Sequence, residues 1–163
     1  MYFATANNGV ASFAQNIRDL QAAGCTIIVD DVTYFVESGF QDGPIARAVN
    51  DVTAAGVLYF SSAGNSGNLT DGTSSTWEGD FSDSGTNNTG GGTIAGGTLH
   101  DFDPTATVAV QNAVTPQFGH KVANLFWSDP LGGSGNDYDL YLLNSAGTAI
   151  VDMSTNVQDG NDD

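Results

Sequence analysis

Gly56-Val57-Leu58-Tyr59-Phe60-Ser61-Ser62-Ala63-Gly64-Asn65-Ser66-Gly67 carries the strongest structural signal in the chain. An apolar run of strand length ends abruptly in small residues and one Asn. Such a run reads as a fully buried strand of a parallel sheet covered on both faces. Open α/β sheets place their sites in the loops that leave the carboxyl ends of such strands. Asn65 then stands where a carboxamide N–H can meet a reacting group. Asn, Gly and Ser are also ordinary turn formers, so on this stretch alone a plain turn role for Asn65 stays open.

Upstream of this strand the residues repeat one pattern. Phe13, Ile17 and Leu20 fall at i, i+4 and i+7, which predicts an amphipathic helix over Ala11 to Ala23, with Ser12 as N-cap and Gly24 as stop. Cys25 to Val29 reads as a β-branched strand, with Cys25, the single cysteine, acting as a small hydrophobe. Asp42-Gly43-Pro44 opens a second helix, Asp42 capping it and Pro44 lying in the first turn, where its missing N–H is harmless. Ile45, Val49 and Val52 repeat the i, i+4, i+7 spacing, and Gly56 ends the helix. Helix, strand, helix, strand implies two parallel strands joined by a right-handed crossover. Asp30-Asp31 and Ala63-Gly64-Asn65 then emerge at the same sheet edge.

Downstream the character changes. Ser66 to Gly97 is rich in Gly, Ser, Thr, Asn and Asp, with Trp77 and Phe81 as its large apolar anchors. Residues 70–97 read as a linker with one short strand around Trp77. Gly90-Gly91-Gly92 is a flexible turn; with no Lys-Ser/Thr partner it is no phosphate loop. From Thr98 onward Ala106–Val110, Val122–Trp127, Tyr138–Leu143 and Ala149–Met153 read as short strands separated by turn clusters such as Asn144-Ser145-Ala146-Gly147, a β-sandwich pattern. Period 2 puts Leu140 and Leu142 on one face, Asp139 and Tyr141 on the other. The expected fold class is therefore α/β plus all-β: a partial parallel α/β layer over residues 1–69, the linker, and an antiparallel sandwich over residues 98–163.

Composition narrows the function classes. The 163 residues are 40% hydrophobic and include 21 Gly, and 19 acidic residues stand against Arg18, Arg47 and Lys121, for a net charge of −16. No basic patch exists to displace phosphate counterions, which argues against nucleic acid and equally against an anionic membrane surface. No window approaches the roughly 20 apolar residues that cross a bilayer. The N-terminus lacks the basic and apolar regions of a signal peptide.

The first 68 residues, through their helix, strand, helix, strand order and Gly56 to Asn65, resemble the middle of a subtilisin-like serine peptidase of the S8 family. In that family a strand ending in Ala-Gly-Asn supplies the oxyanion-hole Asn. The resemblance implies that role for Asn65 and a substrate-binding wall built from Ala63, Gly64, Asp31 and Val32. Val29-Asp30-Asp31-Val32-Thr33-Tyr34-Phe35 with Phe40-Gln41-Asp42-Gly43 looks like a bacterial subgroup of these peptidases. Most subtilisins hold Ser-Leu-Gly where Asp30 and Asp31 stand nearby. These carboxylates suit a pocket favouring basic or polar side chains, or a capped turn or cation site.

The catalytic Asp, His and Ser motifs are missing. His100 and His120 stand in unrelated contexts, and Gly72-Thr73-Ser74 lacks the small-residue helix start of the nucleophile motif. The resemblance thus implies part of a secreted serine endopeptidase that acts on polypeptides, inactive alone and partnered by the missing parts of its own core.

Thr98 to Asp163, through Leu125-Phe126-Trp127-Ser128-Asp129-Pro130 and Asn136-Asp137-Tyr138-Asp139-Leu140-Tyr141-Leu142, resembles the bacterial pre-peptidase C-terminal β-sandwich, here as an insert. Asp129, Asn136, Asp137 and Asp139 are clustered hard oxygen donors, which suit Ca²⁺. They fit no EF-hand spacing, and solvated turn acids are the other reading. The alternative function is a non-catalytic sandwich module that binds protein or glycan.

Overall fold

A computed structural model describes residues 1–86, 97–115 and 122–162. The glycine run Gly90-Gly91-Gly92, His120 and Lys121 lie outside the described residues. The described elements run in the order α1 (Val10–Ala22), β1 (Ile27–Asp30), α2 (Pro44–Ala54), β2 (Leu58–Ser61), β3 (Leu140–Leu143) and β4 (Ile150–Ser154). They belong to two compact units, one of residues 1–65 with 124–131, the other of residues 66–123 with 132–163.

In the first unit β1 and β2 pair in parallel, Ile27 opposite Leu58 and Asp30 opposite Ser61. Both strands therefore end at one edge, as the alternating pattern requires. Phe13, Ala14 and Ile17 of α1, Ala48 and Val52 of α2, and Ile28 and Val57 form the buried core, with Cys25 packed at its margin. Both helices end in the same way. Gly24 N–H reaches Gln21 O and Cys25 N–H reaches Leu20 O; Gly56 N–H reaches Thr53 O and Val57 N–H reaches Val52 O. This double bonding needs a left-handed residue after the helix, and Gly24 and Gly56 both have φ of +91°.

The helix starts differ from expectation. Gly9, not Ser12, is the first N-cap, and Gly43, not Asp42, is the second; neither makes a side-chain cap. Asp42 instead accepts a bond from Asn50 Nδ2 at 2.7 Å. A residue outside the helix caps α2: Glu37 Oε1 accepts Ile45 N–H at 2.8 Å and Ala46 N–H at 3.4 Å. A Cβ on Gly43 would come within 2.6 Å of that oxygen, so the glycine makes room for the carboxylate.

Within this unit the described residues cover one face of the sheet. Ile28 and Tyr59 turn toward the helices, whereas Ile27, Val29, Leu58 and Phe60 on the other face are 55–71% exposed. The expectation of burial on both faces is corrected here: two strands and two helices supply one covering layer. The segment 124–131 joins this unit through Gln41, whose carboxamide donates to Asp129 O and accepts Leu131 N–H at 3.0 Å.

The second unit contains an antiparallel hairpin, β3 with β4, with Leu140 opposite Ser154 and an irregularity between Leu142 and Leu143. Asn144 closes its turn: Oδ1 accepts Thr148 N–H at 2.8 Å, and Gly147 takes a φ of +66°. Tyr141 OH donates to Asp139 at 2.9 Å, which agrees with their shared face.

The other expected strands are not formed. Ala106–Val110 is irregular because Asp101, a buried carboxylate, accepts Asp103 N–H and Ala109 N–H, folding the segment back on itself. Such local bonds compete with a ladder. Val122–Trp127 is likewise irregular, and its residues from Asn124 onward belong to the first unit. The region around Trp77 is no strand either. It is nonetheless held within the second unit, since Trp77 and Phe81 pack on His100 at ring separations of 4.9 and 5.4 Å. A full sandwich is thus not formed among the described residues; the antiparallel hairpin is.

Candidate functional site

The carboxyl edge of β1 and β2 gathers the chemistry of the first unit. On the helix-covered face, Asp30 lies directly opposite Ser61, and Tyr59 is the diagonal neighbour. Asp30 Oδ1 accepts Ser61 Oγ–H at 2.8 Å, and Oδ2 accepts Tyr59 OH. Partial burial, reinforced by the bond to Asp30 and by its charge, pushes the Tyr59 phenol well above its ordinary value. Tyr59 thus stays a protonated donor, and Asp30 is fixed in orientation by two hydroxyls.

An open cleft of about 220 Å³ lies beside this network. Phe13 and Tyr34, with ring centroids 5.3 Å apart, line it along with Val32 and Ile45. Tyr34 is anchored through its hydroxyl to Ala6 O. Asp30 and Glu37 are also among the residues that line it. Sequence reading missed Glu37. The only hint was a Gly-Pro helix start preceded by an acidic residue at an unusual distance.

The chain continues from β2 into Ser62, Ala63, Gly64 and Asn65, all exposed. Gly64 has φ of +72°, the left-handed region a turn leaving a strand often needs. The Asn65 carboxamide makes no hydrogen bond to the described residues. Asp31 and Val32 follow directly from β1 at the same edge. Asp31 is exposed and does not line the cleft, whereas Val32 does. The structure therefore brings Asn65, Ala63, Gly64, Asp31 and Val32 to one sheet edge within one unit.

The expected calcium ligands are divided between the two units. Asp129 belongs to the first unit, whereas Asn136, Asp137 and Asp139 belong to the second. Asp137 Oδ1 accepts Gln158 N–H at 3.1 Å, and Asp139 is engaged by Tyr141. Among the described residues no group of three or more His, Cys, Asp or Glu side chains is arranged to hold a metal ion. Among the described residues no helix is long and apolar enough to cross a membrane. Ser74 Oγ donates to Thr76 O at 3.2 Å, a local turn bond. Comparisons with models of protein families, with curated proteins and with solved structures return no match for this chain.

Proposed function

We propose that this chain is part of the catalytic core of a secreted subtilisin-like serine endopeptidase, in which Asn65 donates a hydrogen bond to the oxyanion formed during peptide hydrolysis. The observation that carries this reading is the placement of Asn65. It is an exposed carboxamide with no bond to the described residues, in the loop leaving parallel strand β2, at the edge where β1 also ends. Attack on a scissile carbonyl builds negative charge on its oxygen. A fixed carboxamide N–H aimed there lowers the barrier by roughly 3 to 4 kcal/mol.

Ala63, Gly64, Asp31 and Val32 would offer backbone and wall to an extended polypeptide substrate. The bare apolar face of Ile27, Val29, Leu58 and Phe60 supports the same reading, since a larger parallel sheet carries a second covering layer. The residues that would cover it are the missing parts of the same core. The chain carries no nucleophile or base of the family's triad, so the expected activity of the chain alone is nil.

The test has two arms. The reading frame around this chain should encode the family's Asp and His motifs upstream and its Gly-Thr-Ser helix start downstream. A serine-directed phosphonate should label the longer product and leave the isolated chain unlabelled. Absence of those motifs favours a non-catalytic binding module, and labelling of Ser74 in the isolated chain overturns the assignment of roles.

A further inference from the structure

We infer that the cleft between β1 and the start of α2 is a binding site for an alkylguanidinium or alkylammonium group. The cleft shares Val32 with the proposed substrate wall, but it lies on the helix-covered side of the sheet and binding there needs no catalysis, so the inference does not rest on the peptidase reading. Three features converge. The cleft, at about 220 Å³, falls below the roughly 300 Å³ at which pockets for whole small molecules begin. It therefore suits one side chain or a linear amine.

Its lining is amphipathic in the way a long cationic side chain is. Phe13, Tyr34, Val32 and Ile45 present apolar surface for a methylene stem, and an aromatic face also attracts a cation. Its two carboxylates are oriented in advance. Asp30 is held by Ser61 and Tyr59, and Glu37 is held through Oε1 by the first amides of α2. Glu37 Oε2 makes no hydrogen bond to the described residues.

Charge is left over for a ligand. The ion pair found among the described residues joins Arg18 to Asp51 at 2.7 Å, and it involves neither Asp30 nor Glu37. A chain of net charge −16 further raises the local concentration of cations. A guanidinium fits best, because its planar fork can bond a carboxylate through two N–H groups at once.

The experiment titrates the full, isotope-labelled chain with agmatine, with its neutral analogue N-butylurea, and with a short capped peptide carrying a single Arg. Amide resonances around Glu37, Ile45 and Ser61 are followed. Saturable shifts are expected with agmatine or the Arg peptide and not with N-butylurea. The agmatine dissociation constant should be on the order of 1 mM, given so small a ligand. Tighter binding of the peptide assigns the site to a polypeptide side chain, and tighter binding of agmatine assigns it to a free amine.

Glu37→Gln keeps an acceptor for the α2 amides and should weaken binding at least tenfold. Val32→Lys places a competing ammonium on the cleft wall and should do the same, deciding the matter if the first variant fails to fold. Equal shifts with N-butylurea, no saturable shift with either cation, or wild-type binding by a folded variant would overturn the site.

Discussion

Glu37 shows how a single residue joins stability to site chemistry. Its carboxylate replaces the expected Asp42 as the cap of α2 while lining the cleft. Glu37→Ala should destabilise the chain by about 1 kcal/mol, the usual cost of a lost cap, with Glu37→Gln closer to wild type; urea denaturation measures both. Tyr59 supplies a pH signature. Burial and the Asp30 carboxylate raise its folded value above the ordinary phenol value of 10.0, so the folded state keeps a proton that the unfolded state releases. The contribution is fully present below pH 10 and is lost as pH climbs beyond it. Thermal melts from pH 9 upward should show stability falling, and Tyr59→Phe should flatten that decline.

At this scale Asn65, Ala63 and Gly64 were legible in the sequence, because an apolar run ending in small residues marks a strand edge. Glu37 was not, because its role depends on a loop folding back onto a glycine that has room for it.

At the level of elements, the repeated i, i+4, i+7 spacing and the glycines at positions 24 and 56 made both helices and the parallel pairing readable. The glycines do this through backbone geometry alone: a Cβ at Gly56 would meet nothing within 4 Å. Gly56→Ala should therefore cost only the left-handed strain, about 1 to 2 kcal/mol. Val52→Ala, at a fully buried position, should cost about 2 kcal/mol or more, through lost burial plus a cavity. Chemical denaturation of the two variants separates the mechanisms.

The β half was legible only where a turn closed it. Asn144 to Gly147 fixed the hairpin of β3 and β4, since a carboxamide acceptor and a left-handed glycine specify the reversal. Ala106–Val110 and Val122–Trp127 had strand composition but no such device. The Asp101 carboxylate claims the first through Ala109 N–H, and the second runs into a stretch that Gln41 holds further on, at Asp129 and Leu131; neither side chain's target is marked in the sequence.

For the molecule as a whole, the exposed apolar face and the edges of the β1–β2 sheet that no other described strand pairs bear on behaviour in solution. Exposed strand edges beside an apolar surface invite association. Sedimentation of the isolated chain should show concentration-dependent oligomers, and Val29→Glu, which places a charge on that face, should shift the balance toward monomer. A wild-type chain that stays monomeric at all concentrations would mean that this face needs no cover.

The same surface and Asn65 belong to one proposal, that a larger core completes this sheet and creates the oxyanion that the carboxamide steadies. Its most direct test is the turnover number of the longer peptidase that the proposal implies, measured with and without Asn65→Ala. The account predicts a fall in kcat of roughly 10²- to 10³-fold with KM nearly unchanged. Unchanged turnover in a folded variant would contradict it.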